Sequence, residues 1–501
     1  MKISSPTRLI LASSLASNHR AITAATASAS EGNLRANRAL SLDATEINVA
    51  EILNLYEQGA LTEDQIKSKL NAICQAYSQE DCWSDALFHD RMLVEEGSFD
   101  SQALLDEFPD NRDTIAYSQE DLMNWLNDGV WSSLTQDSLN VRYVKLVGTG
   151  TKGALVMSPG QKEPTAKYAE TLRTFVDAGY SPVFSIDHVS QGTSDRPLDD
   201  HFKQHIEDGA HFISAFKTFL DVVLNEIPNQ QPRFLACHSM GCAIAFTLLI
   251  EDYEAQHPTR FNAVVANAPL IKADTSPFPY PIATAIGGLM VGLGLGENYA
   301  PTQQKTFAES YGNQNFEGSS TSSLVRWLRT RDLCLAAKDQ EVGDDNHIGL
   351  CLGGISANFA QELFRLYNAL DDFNDGKGKI STPVLIQMAG DATDTDGNVQ
   401  NPETANFCSE ALKHCTLENF AASRHNIWWE ADEIRDPALL NADIFFQRHK
   451  ESKVPQCPPE PTCGRWKYSR ARCHDSSVCS HQFKVGDWHL GASCRPRSDV
   501  C

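Results

Sequence analysis

From about residue 140 the chain alternates short, largely apolar runs with longer stretches of helical period. Ala154 to Met157, Pro182 to Ile186, Phe234 to Cys237, Ala263 to Ala266 and Pro383 to Met388 have the length of strands and little polar alternation. Such runs are buried on both faces, the condition of a parallel sheet with helices packed on either side. Helix-length segments at 167–178 and 204–224 separate the earlier strands, and a last helix is predicted from Pro437 to Lys450. Between Pro269 and about Lys379 the strand signal vanishes. A mainly helical insertion is expected there, ending at Gly376-Lys377-Gly378.

The flanks read differently. Residues 1–40 are rich in Ala, Ser and Asn and have the make-up of a leader or a disordered segment. Ile47, Ala50, Leu53 and Tyr56 then keep helical spacing, and Thr62 with Gln65 forms a capping box ahead of Ile66, Leu70 and Ile73. The predicted organisation is therefore a leader at 1–40, an N-terminal helical extension at 41–134, a main domain at 135–455 with its insertion at about 270–379, and a small module at 456–501. Pro455, Pro458, Pro459 and Pro461 mark the linker into that module.

Charge and cysteine usage narrow the setting. A formal net charge of −23 argues against nucleic acid or an anionic membrane as the main partner. Of 14 cysteines, six lie at 457, 463, 473, 479, 494 and 501, and close pairs occur at Cys74/Cys82 and Cys408/Cys415, with a looser pair at Cys334/Cys351. This distribution predicts disulfides and an oxidising compartment. A metal site is the rival for the tail, but no CxxC spacing occurs in it. Lys2 and Arg8 ahead of the apolar run Leu9 to Ala16, with small-residue cleavage sites near Ala25 to Ala29, fit a secretory leader, so a secreted protein is expected. The tail's Trp466, Tyr468, Phe483 and Trp488 leave its partner unread.

The strongest chemical signal is Phe234-Leu-Ala-Cys-His238-Ser239-Met240-Gly241, followed by an apolar helix. A serine on a sharp strand-to-helix turn needs small residues two before and two after it, because the backbones crowd there. Gly241 meets the second requirement; Cys237 stands at the first, where glycine is usual, but is still small. Ser239 is thus the candidate nucleophile. A serine hydroxyl is weak alone and needs a base oriented by an acid. Gly390-Asp391 follows directly on a predicted strand, where active-site groups gather in open α/β sheets, so Asp391 is the first candidate acid, with Asp394 and Asp396 of the same loop as alternatives. His425, after the predicted strand Thr416 to Phe420, enters where the third member must lie and is the candidate base. The backbone N–H groups of Met240 and of Gln161, in the Pro159-Gly160-Gln161 turn, are candidate oxyanion donors. The block Ile186 to Ser194 reads as loop scaffolding.

Taken together, PGQKEP with KYAETL, IDHVSQGTSDR, HSMG, ANAPL and RHNIWWEAD resemble the lysophospholipase/monoacylglycerol lipase branch of the α/β-hydrolases over roughly residues 135–450. The resemblance implies an α/β-hydrolase fold: a mostly parallel central sheet and a helical cap insertion, here with an N-terminal helical extension and a small cysteine-rich C-terminal module. It implies Ser239, Asp391 and His425 as triad, with Gln161 and Met240 as oxyanion donors. Two departures stand out: Pro159 in place of a common histidine, and an acid loop unusually rich in aspartate. The expected reaction is acyl-enzyme hydrolysis of a single-chain lipid ester, a lysophospholipid or monoacylglycerol, with no metal or organic cofactor. Pro281 to Gly296 would serve as an acyl-chain wall or as a transient contact with a membrane or micelle. A serine esterase, thioesterase or aminopeptidase acting on other small acyl substrates remains open, as does an inert fold used for binding.

Overall fold

The computed structural model describes residues 117–311, 315–338, 350, 352–374 and 378–451, together with strand residues 484–485 and 488–489. The leader, most of the N-terminal extension, the Cys74/Cys82 pair, Cys351 and nearly all of the cysteine-rich module lie outside the described residues.

Helix α1 (Gln119–Asn127) leads into β1 (Val130–Gln136) and β2 (Leu139–Leu146), which form an antiparallel hairpin. There follow β3 (Ala154–Ser158), α2 (Ala169–Asp177), β4 (Val183–Ile186), α3 (Ala210–Asn225), β5 (Arg233–His238), α4 (Met240–Glu254) and β6 (Ala263–Asn267). Among the described residues, four α-helices then run without a named strand: α5 (Tyr280–Gly292), α6 (Phe307–Tyr311), α7 (Leu324–Lys338) and α8 (Ala357–Asn374). The domain closes with β7 (Val384–Ala389), α9 (Asn401–Glu410), β8 (Cys415–Phe420) and α10 (Asp432–His449). The sheet order is β1-β2-β4-β3-β5-β6-β7-β8. Only the β1–β2 and β2–β4 pairings are antiparallel; from β4 to β8 every pair is parallel. This is the mostly parallel α/β-hydrolase sheet, and α5 to α8 form its helical cap.

Alternation along each strand splits the core into two layers. On β5, Leu235 and Cys237 face a layer with Phe216, Phe219 and Phe246, while Phe234 and Ala236 face Phe175, Tyr180, Trp428 and Phe446. Each buried aromatic or aliphatic side chain contributes roughly 1.5–3 kcal/mol, so the two layers fix the sheet rigidly beneath the cap.

Two boundaries differ from expectation. The sheet begins at Val130, inside the stretch assigned to the helical extension, because β1 is a half-exposed edge strand whose polar residues hide its period. The last helix begins at Asp432, and Pro437 sits within it rather than opening it; Asp432 and Glu433 supply the negative first turn that a helix N-terminus favours. Cys408–Cys415 is a disulfide, tying α9 to β8, whereas Cys334 is buried without one among the described residues. A second disulfide, Cys237–Cys242, had no counterpart in the sequence reading. The pair Lys484–Val485 and Trp488–His489 is antiparallel.

Candidate active site

β5 ends at His238 and α4 begins at Met240, leaving Ser239 alone at the turn with φ 47° and ψ −120°. A non-glycine residue in that region costs on the order of 1–3 kcal/mol, so the surroundings must hold it. They do so through its backbone: Ser239 N–H donates to the Asn267 carbonyl at 3.1 Å, and its carbonyl accepts from Leu270 N–H at 3.1 Å and Cys242 N–H at 2.9 Å. Gly241 is required by close approach. A Cβ there would lie 2.2 Å from the Ser158 carbonyl oxygen and 2.4 Å from that of Pro159, so only glycine lets α4 rest on the loop after β3.

The structure brings Ser239 and His425 together. His425 Nε2 lies 2.9 Å from Ser239 Oγ, although 186 residues separate them in sequence. The other ring nitrogen, Nδ1, lies 2.7 Å from Oδ2 of Asp396. This corrects the expected acid: Asp391 is exposed, and its Oδ1 accepts from the N–H and hydroxyl of Thr393, both at 2.8 Å, so it does not meet the histidine. Asp394 contributes to the loop through its backbone, accepting from Asn401 N–H at 3.0 Å.

The loop's course explains the exchange. Gly390 turns with φ 68°, and Asn401 Nδ2 bonds the carbonyls of Ala389 and Asp391, so the chain swings outward and returns at Asp396. There Oδ1 accepts the N–H groups of Asn398 and Val399, each at 2.8 Å. Burial of this carboxyl pushes its pKa up, but the charge and hydrogen bond of His425 and those two N–H groups outweigh it and hold the group below its ordinary value of 3.8. The sequence signal that marks it is Asp396-Gly397-Asn398, an aspartate opening a tight turn whose backbone it caps.

A buried polar network, to which the sequence reading gave no role, lies under the turn after β3. Glu163 accepts from Gly160 N–H at 2.9 Å, Lys167 Nζ at 2.6 Å, Asn426 Nδ2 at 2.9 Å and the Tyr168 hydroxyl. Gln161 is thereby held in a turn pinned at its neighbour, and the same carboxylate reaches the residue after His425. Burial would raise the Glu163 pKa, but the His238 ring, the Lys167 ammonium and the Tyr168 hydroxyl hold it down at about 2. Burial drives His238 down to about 4, with the neighbouring Glu163 carboxylate opposing that shift. His238 in turn packs its ring 4.9 Å from that of His425. Asp187 accepts Thr165 N–H at 2.6 Å and Thr193 N–H at 2.8 Å, the scaffolding part expected of its block. Among the described residues, no acceptor meets the backbone N–H of Gln161 or of Met240.

Ser239, His425 and Gln161 open onto a cavity of about 540 Å³ beneath the cap. Its lining includes the apolar side chains of Phe278, Ile286, Leu363, Phe364 and Tyr367 and the polar ones of Gln303, Gln304, Asn315, Ser319 and Thr321. Pro281 to Gly292 is thus part of a helix, α5, which buries Ile286, Leu289 and Met290 and packs along α8. The cap is tied down by Arg326, whose guanidinium pairs with Glu170 at 2.9 Å and Asp432 at 2.6 Å. The loop carrying His425 is tied to the cap as well: Arg424 Nη1 donates to the Phe316 and Thr321 carbonyls, and Glu430 Oε2 accepts Ser322 N–H at 2.7 Å. Among the described residues no group of three or more His, Cys, Asp and Glu side chains is placed to hold a metal, and no helix is long and apolar enough to cross a membrane.

A serine on a strained strand-to-helix turn, meeting a histidine that meets a carboxylate, on a mostly parallel sheet with a helical cap, defines a serine-hydrolase-type α/β-hydrolase. Residues 149–432, more than half of the chain, match the family described as serine aminopeptidase, S33. The protein belongs to that family. Lysophospholipase L2 of Escherichia coli (strain K12) is 30% identical over 134 residues, which cover 27% of this chain and 37% of that protein. The match therefore spans little more than a third of that relative's length. Among solved structures, the chain is similar to a soluble variant of monoglyceride lipase from Saccharomyces cerevisiae (16% identity, 64% of this chain and 95% of that one, TM-score 0.49). It is also similar to monoacylglycerol lipase from Paleococcus ferrophilus (16% identity, 62% and 99%, TM-score 0.41).

Proposed function

We propose that the protein is a carboxylic-ester hydrolase that cleaves single-chain lipid esters, lysophospholipids or monoacylglycerols, through an acyl-enzyme. The observation that carries this is the unbroken chain Asp396–His425–Ser239 opening onto a cavity partly lined by apolar side chains of the cap. Ser239 Oγ attacks the ester carbonyl while His425 Nε2 takes its proton; Asp396 holds Nδ1–H and stabilises the imidazolium that forms. The N–H groups of Gln161 and Met240 receive the oxyanion. His425 then returns the proton to the departing alcohol, and water, deprotonated by the same imidazole, releases the fatty acid. The apolar lining side chains Phe278, Ile286, Leu363 and Phe364 take the acyl chain, and polar lining groups take the glycerol end.

An aminopeptidase reading would require a carboxylate free for a substrate ammonium. Three carboxylates line the cavity: Glu163 is engaged as above, Asp274 accepts from Ser276, and Glu309 accepts Lys305 and Thr306 N–H. Their engagement favours the ester. A secretory, oxidising location is part of the same proposal, supported by the disulfides at Cys237–Cys242 and Cys408–Cys415 and by the cysteine-rich tail.

The test is a fluorophosphonate probe followed by a substrate panel of lysophospholipids, monoacylglycerols, short esters and aminoacyl amides. Labelling of wild type but not of Ser239→Ala, with highest kcat/KM on a long single-chain ester, is expected. Turnover of the amides alone would overturn the ester reading, and an unlabelled wild type would leave a binding protein.

A further inference from the structure

The disulfide Cys237–Cys242 closes a ring that contains the whole nucleophile turn: His238, Ser239, Met240 and Gly241. Cys237 is the penultimate residue of β5, and Cys242 is in the first turn of α4. Both are fully buried in the layer that carries Leu235 and Phe246, with Cα atoms 5.0 Å apart. The strand and the helix are thus joined covalently across the one residue whose backbone is held at φ 47°. Where glycine stands two before the serine, only packing and hydrogen bonds hold such a turn. Here a bond is added to them.

Resting on the ester-hydrolase reading, we infer that Cys237 and Cys242 are positioning residues of the reaction: their bond fixes the turn so that Ser239 Oγ stays in line with His425 Nε2 and with the N–H of Met240. Three features point to positioning rather than to stability of the fold at large. A bond spanning a sequence separation of 5 removes little freedom from the unfolded chain. The helix end is already tied to the turn by the Cys242 N–H bond to the Ser239 carbonyl at 2.9 Å. The element it constrains is the one that carries the nucleophile and an oxyanion donor, where a shift of about 1 Å in a reacting atom is enough to cost about 100-fold in rate. The molecule also contains its own control. Cys408–Cys415 has a similar separation of 7, but joins α9 to β8 at the sheet's edge, away from the turn.

The experiment uses the full chain. Cys237→Ala/Cys242→Ala and Cys408→Ala/Cys415→Ala are compared with wild type for kcat, KM, the rate of Ser239 modification by a fluorophosphonate, and Tm. The first variant is expected to lose about 10- to 100-fold in kcat and in modification rate, with KM within about twofold. The second is expected to keep both rates while its Tm falls by a comparable amount. Should the first variant fail to fold, wild type is reduced stepwise with dithiothreitol, and loss of kcat must track alkylation of Cys237 and Cys242 by mass and return on reoxidation. Free thiols at 237 and 242 in the native protein, unchanged kcat in the first variant, or equal kcat losses in both variants would overturn the inference. If wild type reacts with the probe but hydrolyses no ester, the ester reading fails and the modification rate still decides the role of the bond. An unreactive Ser239 in wild type sinks both.

Discussion

The floor and the roof of the cavity are built on different principles. On the floor, groups near Ser239 are fixed by directional bonds: the Asp396 carboxylate by two backbone N–H groups, the Gly160 N–H by Glu163, the Asn426 amide by the same carboxylate. In the roof, α5 and α8 meet through apolar contact, with Gly287 letting Gln361 and Phe364 approach and with Tyr280 edge-on to Phe364 at 5.4 Å. Directional bonds allow one geometry, whereas apolar packing tolerates many of similar volume. Under the proposed function the floor therefore sets whether the reaction occurs, and the roof sets which acyl chain fits. The two are tied together by Arg326 with Glu170 and Asp432, by Arg424 with the Phe316 and Thr321 carbonyls, by Glu430 with Ser322 N–H, and by Asn358 with the Ile206 and Glu207 carbonyls.

That division is open to attack by substitution. The largest effect is expected at the base: His425→Ala should lower kcat by about 10⁴-fold or more while leaving Tm within a few degrees, measured on a monoacylglycerol. Next is the network under the turn after β3. Glu163→Gln should lower kcat by about 10- to 100-fold, since the turn that carries Gln161 loses its anchor, with KM moving little. The same change has a pH signature. The folded-state pKa of Glu163 is depressed, to about 2 from an ordinary 4.5, so its contribution is full above pH 4.5 and is lost as pH falls towards 2. Urea unfolding of wild type followed from pH 7 to pH 2 should show this loss below pH 4.5, a titration that Glu163→Gln lacks. The smallest effect belongs to the roof: Phe364→Ala should shift acyl-length preference by about tenfold or less and spare the rate of fluorophosphonate labelling. A roof substitution that abolished labelling, or a floor substitution that changed only chain length, would break the distinction.

The same contrast decides what could be read from the chain. β3 to β7 were legible because strands buried on both faces leave unbroken apolar runs, and Ser239 because Gly241 and the strand before it permit few alternatives. His425 followed from its place after β8. The hairpin of β1 and β2 was hidden by its exposed face. Proximity in sequence to β7 favoured Asp391 as the partner of His425, with Asp396 as an alternative, whereas reach is set by the excursion from Gly390 to Asp396 and by the Asn401 bonds that shape it. Glu163 and Asn426 had no signature of their own; their roles arise from three loops converging, which no local pattern encodes. The roof was legible as helices, with Pro281 to Gly296 read as an acyl-chain wall or a membrane contact; its pattern could not choose between these, since burial against a cavity and burial against a core leave the same apolar residues.

The central claim is that Asp396, through His425, prepares Ser239. The direct measurement is kcat for Asp396→Asn and Asp391→Asn side by side on one long-chain monoacylglycerol, with folding checked by Tm. The expected result is a loss of about 10³- to 10⁴-fold for Asp396→Asn and less than about twofold for Asp391→Asn. Equal activities, or a collapse confined to Asp391→Asn, would contradict the account.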